Sequence, residues 1–117
     1  MPHLVPAPTR IPVPGGKTID EYVGRVTTGV AGVSVAHMVA PPGWDEPAQT
    51  PEFDEITVVL RGVVRVEHAD GVLEVAEGQA VVTGAGERVR YSTGPEGAEY
   101  VAVCLPAFGP DLAHRED

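Results

Sequence analysis

Three carboxylates stand close together in the stretch "EFDEI", where Glu52 and Asp54 precede Glu55. The run "ITVVL" that follows predicts a β-strand, on which residues two apart share a face. Glu52 and Asp54 therefore lie opposite Glu55, and we expect them to form a solvated rim rather than a catalytic pair. Glu55 points to the other face of this strand.

The remaining chemistry-bearing side chains have simpler interpretations. His3 and His114 lie near the chain ends, and His68 flanks a predicted turn. His37 alternates with two valines, so it is either a structural histidine in a sheet or a ligand or base. Cys104 is the one cysteine; without an evident base beside it we expect a buried structural thiol.

Turn residues divide the chain into short β-patterned runs. Prolines at 2, 6, 8, 12 and 14 predict an extended arm over residues 1–16. A short turn or helix is expected at residues 19–22. Turn signals then recur roughly every 8 to 12 residues, including a hairpin turn at 70–71, which predicts an antiparallel sandwich or barrel over residues 17–110. Residues 111–117 are expected to form a polar tail.

The composition limits the classes of molecule that the protein is expected to bind. The 117 residues suit one domain, and the formal net charge is −9, from 17 acidic and 8 basic side chains. Such a surface repels phosphate backbones and anionic lipids, so we expect neither nucleic acid nor membrane as a partner. The chain has neither a signal-peptide pattern nor an apolar run long enough to span a bilayer. We expect a cytoplasmic bacterial protein.

Two spaced motifs lie within the β-patterned region. Residues 43–62 keep the spacing of the pattern G, five residues, H, one, H, three or four, E, six, G, but carry no histidine. Residues 78–93 keep the spacing of a second pattern, which is G, five residues, P, one, G, two, H, three, N. The positions of the first are Gly43, Gln49, Pro51, Glu55 and Gly62, and those of the second are Gly78, Gly84, Gly86, Val89 and Thr93. Together they resemble the motifs of the cupin superfamily, with a histidine-poor first motif similar to that of ethanolamine-utilisation cupins. The resemblance implies an all-β fold, the single-domain cupin-type double-stranded β-helix (jelly-roll barrel).

The metal ligands of that family are mostly absent. Of its three histidines and one glutamate, the chain matches only Glu55. Proline and valine offer no donor, so we expect a degenerate metal site without a cofactor. A divalent metal held by a rearranged set stays open as an alternative; that set is Glu55, His37, Gln49 and Tyr91.

The resemblance also implies a ligand pocket at one mouth of the barrel. The strand positions of the family place Gln49, Pro51, Glu55, Val89 and Tyr91 inside it. Thr57 continues the Glu55 face more deeply, Trp44 could cover the mouth, and His37 is a further candidate. Tyr100, Ala102 and Cys104 share one face of the closing strand.

These features lead to three functional hypotheses. The first is a small-molecule-binding, non-oxidative enzyme (lyase, isomerase, epimerase or cyclase) in which Glu55 and Tyr91 transfer protons. The second is a non-catalytic metabolite-binding or accessory module, and the third is a metal-dependent cupin with rearranged ligands. Whether the protein is an enzyme stays open. We expect a small-molecule ligand and a homodimer in which the arm lies over the partner's sheet.

Overall fold

The computed structural model describes residues 2–116. Met1 and Asp117, the outermost residues of the predicted arm and tail, lie outside the described residues. Seven strands and one short helix make up the described chain. They are β1 (Thr9–Ile11), β2 (Thr18–Val23), β3 (Ser34–Ala40), β4 (Asp54–His68), β5 (Gly71–Ala76), β6 (Ala80–Thr83), β7 (Arg90–Leu105) and α1 (Pro110–Ala113).

All strand pairs are antiparallel. The order across the sheet is β1-β2-β3-β7-β4-β5, and β6 pairs with β4 beside this path. The two long strands β4 and β7 pair from Asp54↔Leu105 to Glu67↔Arg90, with register shifts after Val59 and after Gly62. Such irregularities increase local twist and bend a sheet, which lets these long strands curve around a core.

Alternation along β4 decides what faces the core. Glu55, Thr57 and Val59 point inward and are buried, whereas Val58 and Leu60 are 37% and 44% exposed on the outer face. After the second register shift, Val64 and Val66 are buried instead. The irregularity therefore keeps valines on the inner face along both halves of the strand.

The core has two parts. The larger cluster consists of aliphatic and aromatic side chains from the inner face and includes Trp44, Tyr91 and Tyr100. The smaller cluster joins α1 to the sheet through Phe53, Cys104 and Ala113. Consequently the segment predicted to be a polar tail is partly packed. No helix of the described residues is long and apolar enough to cross a membrane.

Gly62 has a specific steric role. Its φ is 78°, and a Cβ at this position would lie 2.1 Å from the carbonyl oxygen of Gly97. Gly97 in turn packs against the backbone of Ala40. Glycine is therefore required where these segments cross closely.

The N-terminal part differs from its prediction in one respect. Residues 18–23 form strand β2 throughout, so the turn or helix expected at 19–22 is wrong: these residues pair with β3 from Thr18↔Val39 to Val23↔Val35. Within the arm, which was predicted to be extended, residues 9–11 pair with β2 of the same chain, and the arrangement over a partner's sheet stays a prediction. The homodimer and the three-part division of the chain stay predictions.

Candidate functional site

A cavity of about 80 Å³ lies between the inner face of the sheet and the N-terminal arm. Its walls are mainly apolar. Its ionisable side chains come from separate elements and are Lys17, Glu21, Glu46, Glu55, Tyr91, Tyr100, Cys104 and Arg115. The cavity is smaller than the roughly 300 Å³ or more of a typical drug-sized ligand pocket, so it suits one group of a larger substrate.

Glu55 is the central carboxylate of the cavity. It is 9% exposed, and strand register places it opposite Thr83 on β6 and Cys104 on β7. Its carboxylate accepts no hydrogen bond from any donor of the described residues. Every fully enclosed side-chain N or O atom of those residues has a partner, so the carboxylate oxygens of Glu55 are not fully enclosed. The carboxylate oxygens therefore face the cavity. Burial raises the pKa of Glu55 to about 7, even though the charges of Lys17 and Arg115 act to lower it.

Lys17 brings an ammonium group to the same cavity. It lies on the connection between β1 and β2, and its Nζ is 4.3 Å from the centre of the Trp44 ring and 5.5 Å from that of Tyr100. Burial lowers the pKa of Lys17, while the nearby carboxylates of Glu46 and Glu55 oppose that shift. The arm thus supplies a cation, which the sequence analysis did not assign to the site.

Arg115 supplies a second cation from the C-terminal segment. Its Nη2 lies 3.4 Å from a carboxylate oxygen of Glu46 and 3.5 Å from Oε1 of Gln49. The backbones of Gln49 and Arg115 form an isolated antiparallel bridge, and the amide of Glu116 donates to the carbonyl of Ala48 at 2.8 Å. The sequence does not predict this contact, because an isolated bridge involves a single residue on each side and so produces no alternating pattern.

Tyr91 lines the cavity as a neutral hydroxyl. Its oxygen is 3.0 Å from Oγ1 of Thr83, and the side chain is 5% exposed. Burial, reinforced by the Glu55 carboxylate, raises the pKa of Tyr91. The phenol therefore holds its proton at neutral pH and acts as a hydrogen-bond donor or acceptor.

The other predicted pocket residues divide into two groups. Gln49 and Thr57 line the cavity. Pro51, Val89 and Trp44 are buried but are not among its lining residues. Val89 and Trp44 pack in the larger core cluster, and the Lys17 side chain covers Trp44. These three residues therefore support the site without forming its inner surface.

His37 lies outside the cavity, so its assignment to the pocket is wrong. Its neighbours Ala36 and Met38 line the cavity, and alternation on β3 turns His37 to the opposite face. There its Nε2 lies 2.7 Å from Glu99, which also pairs with Arg61 at 3.3 Å. The rearranged ligand set that included His37 cannot assemble. Across residues 2–116, no three His, Cys, Asp or Glu side chains are grouped to hold a metal ion.

The arrangement suits chemistry in which a proton leaves and negative charge develops. Glu55 can accept a proton near neutral pH because its pKa is about 7. The side chains of Lys17 and Arg115 carry positive charge into the same low-dielectric cavity, where they stabilise an anion more strongly than in water.

The sequence comparisons point in a direction the composition did not. No protein-family model matches the chain. Over 107 residues, which are 91% of this chain, it is 46% identical to a protein of Myxococcus xanthus (strain DK1622) named Endoribonuclease YbeY. The chain spans 36% of the length of that relative.

The structural comparisons concern the fold. A single-residue variant of oxalate decarboxylase from Bacillus subtilis has a TM-score of 0.79 at 19% identity, over 92% of this chain and 30% of that one. A protein of unknown function from Rhizobium leguminosarum bv. viciae has a TM-score of 0.66 at 22% identity, over 80% and 84% of the two chains. A protein of Salmonella typhimurium named for ethanolamine utilization (protein Q) has a TM-score of 0.63 at 22% identity, over 79% and 71%. The predicted all-β, cupin-type jelly-roll fold is confirmed.

Three predictions made from the sequence are corrected by the M. xanthus relative. The assignment to the cupin superfamily by motif is contradicted, because the relative carries the name of a different family; what the chain shares with cupins is the fold. The predicted small-molecule-binding function is contradicted by the same name. So is the exclusion of nucleic acid as a partner, which rested on net charge alone and overlooked the cations that line the cavity.

Proposed function

We propose that this chain acts on RNA as an endoribonuclease and that the cavity around Glu55 is the site of cleavage. The name and the 46% identity of the M. xanthus relative support the RNA substrate. RNA as the substrate also agrees with the cytoplasmic location expected from the sequence.

The observation that carries the proposal is the carboxylate of Glu55, which has no hydrogen-bond partner among the described residues and shares its cavity with Lys17 and Arg115. With a pKa of about 7, roughly half of Glu55 is ionised at neutral pH and can take the proton of a ribose 2′-hydroxyl. The resulting 2′-oxygen attacks the adjacent phosphorus, and the bond to the 5′-oxygen breaks. The products are a 2′,3′-cyclic phosphate and a free 5′-hydroxyl.

The cations provide the electrostatic part of this mechanism. Negative charge grows on the non-bridging phosphate oxygens as the 2′-oxygen attacks, and Lys17 and Arg115 line the cavity that would receive them. Tyr91, which keeps its proton, is positioned to hydrogen-bond one of those oxygens. We assign it this role in place of a proton transfer, because its raised pKa makes loss of the proton costly.

The protein surface favours contact through the cavity rather than along a basic track. Six of the seven arginines form ion pairs with carboxylates within the described residues. Arg25 instead donates to the carbonyl of Ala107 at 3.3 Å. Few cations are therefore available to line up with successive phosphates. Lys17, and Arg115 with its Glu46 partner, are the cations that line the cavity, and we assign to them the main attraction for an anion.

The test is cleavage of a 5′-labelled RNA oligonucleotide by the purified chain, with the product ends analysed. We expect cyclic phosphate ends, and a loss of about 10²- to 10⁴-fold in kcat/KM for Glu55→Gln. Glu52→Gln is the matched control, since Glu52 is an exposed carboxylate that pairs with His114. Equal rates for wild type and Glu55→Gln, or products ending in a 5′-phosphate, would contradict the proposed mechanism.

A second candidate is recognition of RNA without cleavage. The observation in its favour is that the match covers 36% of the relative, which leaves most of that longer protein outside the compared region. This alternative predicts saturable binding of the labelled RNA with no product over hours. The same assay therefore separates the two.

A further inference from the structure

We propose that Lys17 is the general acid of this cleavage and gives its proton to the departing 5′-oxygen. This inference rests on the proposed function and adds the residue that completes the proton transfers. Neither the sequence motifs nor the named relative point to Lys17.

The first argument is the placement of the two groups. In-line displacement puts the attacking 2′-oxygen and the leaving 5′-oxygen on opposite sides of phosphorus, so the acid and the base belong on different walls of the site. Glu55 lies on β4, whereas Lys17 lies on the connection between β1 and β2. Three strands separate β1 from β4 in the sheet order, and both side chains line the same cavity.

The second argument is that Lys17 is held in place without being neutralised. Its ammonium lies over the ring of Trp44 and within 5.5 Å of the centre of the Tyr100 ring, and both rings favour a cation through their π-faces. No carboxylate of the described residues lies within 4.0 Å of its nitrogen. Its protons are therefore available to a substrate atom that enters the cavity.

The third argument is elimination among the other proton donors that face the cavity. Arg115 does not give up its proton in proteins. Burial raises the pKa values of Tyr91, Tyr100 and Cys104, so each of these groups holds its proton too tightly. None of the four can therefore act as the acid near neutral pH.

The carboxylates of the cavity are engaged in other ways. That of Glu21 accepts hydrogen bonds from the amides of residues 26 and 27, at 3.2 and 2.8 Å. Glu46 pairs with Arg115 at 3.4 Å, and Glu55 is the proposed base. Burial lowers the pKa of Lys17 against the opposing charges of Glu46 and Glu55, so Lys17 releases its proton more readily than an exposed lysine.

The proton and bond changes balance. The 2′-hydroxyl proton moves to Glu55 as the bond from O2′ to phosphorus forms. The bond from phosphorus to O5′ breaks with its electron pair on oxygen, which takes a proton from the Lys17 ammonium. Glu55 then loses and Lys17 regains a proton by exchange with water, and no other reactant is needed.

The test compares two RNA substrates that differ in the leaving atom. One has the natural 5′-oxygen, and the other has sulfur at that bridging position; a thiolate leaves without protonation, so it needs no acid. We expect Lys17→Met and Lys17→Arg to lose about 10²- to 10³-fold on the oxygen substrate and less than about 10-fold on the sulfur substrate. Rates are measured at pH 8, where Glu55 is ionised, and unfolding curves verify that each variant folds.

The outcomes separate this inference from the proposed function. Equal losses on both substrates would mean that Lys17 acts only through its charge or its packing, and the inference would fail while the proposed function stood. Unchanged rates in both variants would also refute it. Glu55→Gln is expected to lose activity on both substrates. If the wild-type chain cleaves neither substrate, the proposed function fails, and the inference fails with it.

Discussion

The Lys17 ammonium and the Glu55 carboxylate share one buried cavity, and the charge of each stabilises the charged form of the other. Burial acts against both charges, raising the pKa of Glu55 and lowering that of Lys17. The rings of Trp44 and Tyr100 offset part of this cost on the cationic side. The protonation states of the cavity are thus coupled, although the two residues are far apart in sequence.

Removing the lysine charge should therefore change the glutamate. In Lys17→Met the positive charge that lowers the pKa of Glu55 is lost while most of the side-chain volume stays. We expect the pKa of Glu55 to move from about 7 to a higher value. Carboxyl ¹³C NMR titration measures it. Arg10→Met is the control, because Arg10 pairs with Asp20 on the surface. A Glu55 titration unchanged in Lys17→Met would show that the two charges are not coupled.

Stability should fall as the pH rises through the range in which Glu55 titrates. The ordinary pKa of a glutamate is 4.5 and the folded value here is about 7, so between these the folded state binds more protons than the unfolded state. The contribution of Glu55 is fully present below pH 4.5 and is lost as the pH rises to about 7, with a total of up to about 3 kcal/mol.

Urea unfolding between pH 4.5 and 8 measures this dependence. The neutral isostere Glu55→Gln should remove this pH dependence. Between pH 5 and pH 8 the variant should therefore lose less free energy of unfolding than the wild type does. If the free energies of unfolding of the two proteins changed in parallel with pH, the buried carboxylate would not titrate as expected.

The sequence predicted the fold more completely than the site. Alternating apolar runs and turn residues predicted an antiparallel sandwich or barrel, because turns and strand faces are set by local pattern. The jelly-roll itself was implied by the resemblance to cupin motifs, in which Gly43 and Gly62 stand at the expected spacing. Glu55 was found through its position in the same motif. His37 was misplaced because alternation alone leaves open which of two faces is the inner one.

The cations of the site could not be found in this way. Lys17 reaches the cavity because residues 9–11 pair with β2, and Arg115 reaches it through a single backbone bridge to Gln49. Both contacts depend on tertiary packing of segments with no periodic pattern. The net charge also gave a wrong prediction about nucleic acid, because a total of −9 does not reveal that two cations line one cavity.

Gly62 offers a test of the packing that shapes β4. In Gly62→Ala, the new Cβ would lie 2.1 Å from the Gly97 carbonyl oxygen at a φ of 78°, so backbone must shift. We expect a loss of more than about 3 kcal/mol in the free energy of unfolding. Gly43→Ala is the matched control: its φ is 69°, but nothing lies within 4 Å of the added Cβ, so only the strain of about 1 kcal/mol applies. Equal losses in the two variants would mean that the close contact with Gly97 is not important.

The salt dependence of RNA binding tests whether the cavity is the contact. Each phosphate that a protein cation neutralises on single-stranded RNA contributes about −0.7 to the slope of log K against log salt. Five arginines pair with carboxylates away from the cavity, and Arg25 donates to a backbone carbonyl. We therefore expect only Lys17 and Arg115, which line the cavity, to contribute, and this gives a slope between about −1 and −2. Fluorescence anisotropy with a labelled oligonucleotide, from about 50 to about 300 mM salt, measures it.

Two variants localise the effect. Arg115→Gln should reduce the slope by about 0.7, whereas Arg88→Gln, which removes a surface cation paired with Glu116, should leave it unchanged. A wild-type slope steeper than about −4 would require several more phosphate contacts than the cavity can provide, and would place the RNA on the outer surface instead. The slope thus decides where the RNA is held, whether or not the chain cleaves it.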